Sequence, residues 1–165
     1  MTHSNKWKEF RLDEIALVQD GGTPRRSEVA YFGGSIPWVT PTDLPAIGLV
    51  TELNGTKETI TDAGLANSSA KLIEPGSVLF SSRTRVGKIA VTNVPCATNQ
   101  GFANFTPHRD VVDLWFLAYL LCCYTPEIIT LAGKTTFLEV PRKRLKAFKV
   151  ALPPLAEQRG IIEMV

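Results

Sequence analysis

Lys134 is the one basic residue of this 165-residue chain that lies in a sequence resembling a catalytic loop. Gly133-Lys134-Thr135 looks like the end of a phosphate-binding loop, in which backbone N–H groups and a lysine hold phosphates. Such a loop requires another glycine five residues before its second glycine, and position 128 is Ile. A phosphohydrolase that uses Lys134 and Thr135 therefore remains only a rival hypothesis.

Thiol catalysis is also disfavoured by the sequence. His108 could act as base for Cys96 or Cys122, but Cys122 and Cys123 lie in an apolar stretch where burial opposes thiolate formation. Three cysteines without a CxxC pair specify neither a disulfide framework nor a zinc site. No HExxH, GxSxG or paired-carboxylate motif is present. We expect reduced thiols, and the sequence motifs give no support to thiol or metal catalysis.

Positive charge is concentrated in three stretches of the chain. Residues 134–149 contain six Lys or Arg and one acidic residue, a local net charge of +5 in a chain whose formal net charge is +2. Residues 83–88 add three cations without an acid, and Arg25 and Arg26 add two beside a Gly/Pro turn. Solvated surface charge is the alternative interpretation, because charge runs usually face solvent.

The residues beside these cations favour nucleic acid as a ligand. Hydroxyl side chains accompany each stretch, and Asn99-Gln100 adds an amide pair. Lys and Arg neutralise phosphates, Arg can bind guanine in a bidentate way, and Asn or Gln can pair with an adenine edge. The sequence therefore indicates binding rather than catalysis, although +2 overall is too small a charge to identify a partner.

The elements that position these residues are short in the first half of the chain. Glycine and proline turn signals separate apolar runs, which predicts strands at 36–39, 77–80, 88–91 and 102–105. A short helix is predicted at 12–18. We expect Trp38 in the core, and the same for Trp7 and Trp115, because tryptophan is usually largely buried.

A buried helix is predicted from residue 111, because 111–124 is apolar almost all round. Asp110 or Asp113 could cap it, and Pro126 ends it or starts another turn. A strand at 136–140, a helical turn from Pro141 and a strand at 148–152 should follow. Another helix starts after Pro153-Pro154.

Three blocks of sequence carry a family resemblance in their order and spacing: GGTPRRSEVAYFGGSIPWVTPTDL at 21–44, VLFSSRTRVGKIAVTNVPCATNQGF at 78–102, and GKTTFLEVPRKRLKAFKVALPPLAEQRGII at 133–162. Together they resemble the target recognition domain of specificity subunits from type I restriction-modification systems. The resemblance runs from Trp7 to the last residue. It implies an α/β fold of the α+β type, with a twisted, mostly antiparallel sheet, flanking helices and the start of a C-terminal spacer helix.

The resemblance also implies a non-catalytic function. A specificity subunit reads double-stranded DNA, and each of its two recognition domains reads one half of a split target. A methyltransferase subunit holds S-adenosylmethionine, and a restriction subunit uses ATP and Mg²⁺ to cleave DNA. No cofactor is therefore expected in this chain. Its expected partners are DNA, the methyltransferase subunit, the restriction subunit through the complex, and a second specificity half subunit.

We divide the candidate DNA-binding residues by role. Candidates for phosphate contacts are Arg83, Arg85, Lys88, Lys134, Arg142, Lys143 and Arg144. Candidates for base edges are Arg25, Arg26, Thr84, Thr135 and Thr136. Asn99-Gln100-Gly101 belongs to the resemblance and could either turn the chain or touch DNA.

The expected organisation is a recognition domain at 1–152 and a truncated spacer helix at 153–165, which together resemble a half subunit. The rival hypothesis is a fragment that docks on a methyltransferase or specificity subunit without useful DNA binding of its own. The N-terminus has no apolar signal-peptide core, and the longest apolar run is eleven residues at 114–124. We therefore expect a cytoplasmic chain without a membrane partner.

Overall fold

The strands of this computed structural model, which describes residues 7–134 and 137–165, are divided among three sheets. The largest has the order β2-β9-β6-β7-β4. Its strands are β2 (Ala16–Asp20), β9 (Phe102–Pro107), β6 (Ser77–Ser81), β7 (Ile89–Thr92) and β4 (Val50–Glu52). All its pairs are antiparallel except β4 with β7.

Two smaller sheets complete the strand set of the described residues. One has the order β5-β3-β8, from β5 (Glu58–Ile60), β3 (Phe32–Val39) and β8 (Ala97–Thr98), with β3 and β8 parallel. The other pairs β1 (Lys8–Arg11) with β10 (Lys149–Leu152) in antiparallel register, which joins the two ends of the chain. The mixed, mostly antiparallel α/β fold class is thus confirmed.

The main core lies between the five-stranded sheet and α3 (Leu114–Ile129). Val78, Phe80 and Phe105 project from the sheet and are fully buried, as is Leu117 of the helix. Because β6, β7 and most of β9 are buried on both faces, these strands read as continuous apolar or small-residue runs. The remaining helices are α1 (Leu12–Ile15), α2 (Asp62–Ala66), α4 (Arg142–Ala147) and α5 (Leu155–Glu163).

The predicted helix at 12–18 is wrong over its second half. The α1 helix ends at Ile15, and Ala16–Asp20 forms strand β2, which pairs with β9. A single turn of helix makes few hydrogen bonds, so pairing with a buried strand outweighs local helix preference here. The predicted strands at 77–80, 88–91, 102–105 and 148–152 all lie within or beside observed strands. The strand predicted at 136–140 is wrong over its described residues 137–140, where Glu139 forms only an isolated bridge with Arg83; residue 136 lies outside the described residues.

The α3 helix begins at Leu114, later than the predicted residue 111, and continues beyond the predicted end at 124. The Asp113 side chain caps it by accepting hydrogen bonds from the N–H groups of Trp115 and Phe116, at 3.0 and 3.1 Å. Pro126 lies inside the helix rather than at its end. By length and composition alone, Leu114–Ala132 could cross a membrane; core helices meet the same criterion, and this one packs on the sheet.

The three tryptophans differ in burial: Trp38 is in the core, Trp115 is half-buried and Trp7 is exposed. Trp38 is 1% exposed, as expected, and its indole N–H donates to the Gly22 carbonyl at 3.1 Å. Trp115 is half-buried against the core. The expectation for Trp7 is wrong, because it is 38% exposed; its indole N–H donates to Glu157, at 3.4 Å.

Candidate nucleic-acid interface

Side chains from separate parts of the sequence surround one cleft of about 500 Å³. It lies where the loop between β6 and β7 meets the turn between β8 and β9 and the turn that follows β3. The residues that line it are Thr40, Pro41, Thr42, Arg83, Thr84, Arg85, Lys88, Asn99, Gln100 and Gly101. The cleft therefore combines cations with hydroxyl and amide groups, the mixture that suits phosphates and base edges.

The Asn99-Gln100-Gly101 segment is a turn that also lines the cleft. The Asn99 side-chain oxygen accepts the Gly101 N–H at 2.9 Å, and the Asn99 N–H donates to the Val39 carbonyl at 3.0 Å. Asn99 is thereby engaged in holding the turn. Gln100 is exposed, and its side-chain oxygen accepts a hydrogen bond from the Thr23 hydroxyl.

The segment that carries Arg25 and Arg26, the first of the three basic stretches in chain order, is attached to this turn but does not line the cleft. Its Gly22 N–H donates to the Thr98 carbonyl at 2.9 Å. Arg25 is exposed, whereas Arg26 stacks against the Phe32 and Trp38 rings and pairs with Glu58 at 2.8 Å. The structure thus places Arg25 and Arg26 outside the cleft lining, on a loop that contacts the cleft through Thr23.

Residues 134–149, the third basic stretch in chain order, support the cleft from the side. Leu138 and Val140 form backbone hydrogen bonds with the loop that begins at Ser82. Arg142 donates to the Phe102 carbonyl at 2.8 Å and to the Ser82 hydroxyl at 3.3 Å, and it pairs with Asp20. Arg142 is therefore a clamp between β2, the loop after β6 and the start of β9.

The other candidates of this stretch have different settings. Lys134 and Lys143 are exposed, and Arg144 is exposed with one N–H donated to the Leu131 carbonyl at 3.2 Å. None of these three lines the cleft. Thr135 and Thr136 lie outside the described residues.

Ion pairs divide the predicted cations into two groups. Arg26, Arg83 and Arg142 each pair with an acidic residue, namely Glu58, Glu139 and Asp20. Within 7–134 and 137–165, no ion pair involves Arg25, Arg85, Lys88, Lys134, Lys143 or Arg144. Lys88 donates instead to the Pro41 carbonyl, at 3.0 Å, and so connects two sides of the cleft. Arg85 is the exposed, unpaired cation of the cleft.

Sequence reasoning missed the turn Thr40-Pro41-Thr42 as part of the cleft. Pro41–Asp43 form one turn of 3₁₀-helix, and Asp43 accepts the Thr40 N–H at 2.9 Å. This arrangement is a capping box, which fixes the turn through local hydrogen bonds. The signal available in the sequence was Thr40 followed by proline and, three residues on, an acid.

The described residues contain no cluster of three His, Cys, Asp or Glu that could hold a metal ion. The thiols also differ from one another. Burial raises the pKa of the Cys96 thiol to about 11, against a smaller lowering by its hydrogen bond with Thr92. Burial also raises the pKa of Cys122, whereas Cys123 is exposed, not the core filler expected from its apolar helix.

Cys96 is expected to react with a thiol reagent such as Ellman's reagent far more slowly than Cys123. A pKa raised by two units lowers the thiolate fraction at pH 8 by about 100-fold. As pH rises, the Cys96 thiol loses its proton in the unfolded chain before it does so in the folded chain. The stability that the buried Cys96 thiol contributes is therefore full below pH 9 and falls as pH rises toward 11. Rates should be followed in the native chain and in a Cys96→Ala variant; equal rates at Cys96 and Cys123 would contradict this burial.

Comparison with known proteins agrees with the fold. A family model described as the type I restriction modification DNA specificity domain matches residues 4–165. The chain is 32% identical over 157 residues to the type I restriction enzyme MjaIX specificity subunit of Methanocaldococcus jannaschii, covering 94% of the chain and 36% of that subunit. It is 28% identical over 167 residues to the EcoR124I/EcoR124II specificity subunit of Escherichia coli, covering 97% and 40%.

The chain is also similar in fold to a solved structure of a specificity subunit. The crystal structure of the HsdS subunit from Thermoanaerobacter tengcongensis superimposes with a TM-score of 0.73 at 27% identity, over 96% of this chain and 36% of that one. The fold and the family match thus define a DNA specificity domain. The chain belongs to the type I restriction-modification DNA specificity domain family. It spans 36% to 40% of the length of these relatives.

Proposed function

We propose that this chain binds double-stranded DNA in a sequence-specific manner and reads one half of a split target for a type I restriction-modification complex. The observation that carries the proposal is the cleft, which brings Arg85 and Lys88 together with Thr42, Thr84 and Gln100. These residues come from separate parts of the sequence, and the third basic stretch supports them through Leu138, Val140 and Arg142.

The chemistry of the exposed groups suits two kinds of DNA contact. Arg85 supplies an unpaired guanidinium for a phosphate, while Thr84 and Gln100 offer short polar groups for base edges. Lys134, Lys143 and Arg144 would add phosphate contacts outside the cleft lining. The phosphate contacts would supply a large share of the affinity, and specificity would come from the few groups that reach the bases.

The remaining parts of the reaction would belong to other subunits. The methyltransferase subunit would hold S-adenosylmethionine, and the restriction subunit would use ATP and Mg²⁺. This chain would direct both of them to DNA, together with a second specificity half subunit, in the cytoplasm. Family membership, and not the cleft, is what supports association with these proteins.

Selection of bound duplexes from a random DNA pool tests the proposal. We expect a short half-site motif to be enriched at low salt. Arg85→Ala should weaken binding to the selected duplex and to a shuffled duplex alike, and should lower the slope of log Kd against log salt by about 0.9, because one phosphate contact is lost.

Arg159→Ala is the matched control for this loss of charge. Arg159 is exposed on α5, and the neighbouring Gln158 attaches this helix to Asp113. Asp113 follows the C-terminal end of β9, whereas the cleft lies at the N-terminal end of that strand. Replacement of Arg159 should leave the salt slope unchanged. If the pool yields no enriched motif, or if Arg85→Ala and Arg159→Ala bind alike, the cleft is not the DNA-binding surface.

A further inference from the structure

The loop between β6 and β7 has an unfavourable backbone conformation at its tip. Thr84 has φ +62°, and among the described residues it is the only non-glycine with a positive φ. A left-handed backbone conformation is rare for a β-branched residue, and it persists only when the surrounding structure enforces it. Thr84 is also exposed and lines the cleft. The strained residue therefore lies at the candidate DNA surface.

A short segment from the third basic stretch enforces this conformation. The Thr84 N–H donates to the Leu138 carbonyl at 2.7 Å, and the Val140 N–H donates to the Ser82 carbonyl at 2.9 Å. Between these two bonds, Arg83 pairs with Glu139 at 2.8 Å, in an antiparallel bridge. We name residues 138–140 the bracket segment.

The loop is also fixed from its base, at the end of β6. The Ser81 hydroxyl accepts the Lys88 N–H at 2.8 Å and donates to the Arg85 carbonyl, and the Gly87 N–H donates to the Ser81 carbonyl at 2.9 Å. With one end held by Ser81 and the tip held by the bracket segment, Thr84 and Arg85 have a defined position before any ligand binds. Preorganisation of this kind reduces the entropy lost on binding.

Charge separates the roles of the two arginines that flank Thr84. Arg83 is paired with Glu139 and has only 38% of its side chain exposed. Arg85 is exposed and makes no ion pair with any residue in the described part of the chain. The same loop thus carries one neutralised cation and one available cation.

We infer that Arg83 and Glu139 are positioning residues for sequence discrimination, which hold Thr84 against a base edge while Arg85 contacts the neighbouring phosphate. This inference rests on the proposed DNA-binding function and changes the role predicted for Arg83, which was a phosphate contact. Glu139 matters for a second reason, because an acid beside the cleft suppresses binding to phosphates in general. Discrimination between duplexes, more than affinity, depends on the pair.

Glu139→Gln tests the inference in the full chain, with the selected half-site duplex and its shuffled counterpart as probes. We expect tighter binding to the shuffled duplex and a salt slope steeper by about 0.9, because Arg83 is released to contact a phosphate. The ratio of the two affinities should fall about tenfold, the discrimination of one base contact. Glu163→Gln is the control, since it removes one exposed negative charge from α5.

Two further variants separate positioning from folding. Thr84→Gly should keep or raise the melting temperature, because glycine tolerates positive φ, yet lower the affinity ratio. The exchange R83E with E139R restores an ion pair without changing net charge and should recover most of the ratio.

The outcomes distinguish this inference from the proposed function. If wild-type binds the selected duplex preferentially but Glu139→Gln behaves like Glu163→Gln, the positioning role of Arg83 and Glu139 is wrong and the DNA-binding function stands, whatever the result for Thr84→Gly. If wild-type itself fails to prefer the selected duplex, the proposed function fails, and the inference with it.

Discussion

Gly21→Ala is expected to destabilise the fold by about 3 kcal/mol or more and to remove DNA binding with it. A Cβ at position 21 would lie 1.9 Å from the Asn99 carbonyl oxygen and 2.5 Å from the Thr98 carbonyl oxygen. Both are backbone atoms, so a side-chain movement cannot relieve the overlap. Overpacking that requires backbone shifts belongs to the most damaging class of substitutions.

The overlap at Gly21→Ala also affects the cleft, because the clashing atoms belong to the turn that lines it. Asn99 begins the turn that lines the cleft, and the Gly22 N–H bond to the Thr98 carbonyl, 2.9 Å long, lies next to the clash. Displacing the turn moves Gln100, so the folded fraction of the variant should also bind the selected duplex more weakly. Urea denaturation gives the stability, and a binding titration at low urea gives the affinity.

Gly160→Ala provides the matched control for Gly21→Ala. A Cβ at Gly160 would meet no heavy atom within 4 Å, and the residue lies inside α5. Alanine there should be neutral or stabilising by about 0.5–1 kcal/mol, because glycine is a poor helix residue. If Gly21→Ala unfolded at the same urea concentration as the wild-type protein, the close packing of Gly21 against Thr98-Asn99 would be refuted.

Elements with a strong local signal could be predicted from the sequence. Strands β6, β7 and most of β9 are buried runs, and α3 is an apolar stretch capped by Asp113, one of its two predicted caps. Such signals need no knowledge of distant residues. The segment 16–20 had no such signal, because its strand identity depends on pairing with β9, nearly ninety positions later in its register.

The charge of the candidate site shows the same limit more clearly. Arg83 and Glu139 are separated by 56 positions, and Arg142 and Asp20 by 122. A run of cations in the sequence cannot reveal which of its members a distant acid neutralises. The third basic stretch therefore reads as a phosphate-binding surface, whereas its Arg142 is engaged inside the protein with the Phe102 carbonyl.

Gln158→Leu is the second substitution with a large expected effect, of about 3 kcal/mol or more. Gln158 is fully buried, and its side chain completes three hydrogen bonds: it accepts the Asp113 N–H at 2.8 Å and donates to the Val111 and Pro153 carbonyls at 2.9 Å each. Leucine has a similar size but satisfies none of these groups. Each buried polar group left without a partner costs about 1–3 kcal/mol.

Arg159→Leu makes the matching change at the neighbouring exposed position of α5, where the stability should change by less than about 0.5 kcal/mol. Urea denaturation of the two variants separates the loss of hydrogen bonds from the addition of an apolar side chain. Gln158 contacts the segment after the end of β9, whereas the cleft includes the turn just before the start of β9. Folded Gln158→Leu should therefore bind the selected duplex with wild-type affinity. Equal stability of both variants would show that this glutamine does not anchor α5 to the domain, and weakened binding would show that the anchor and the cleft are coupled.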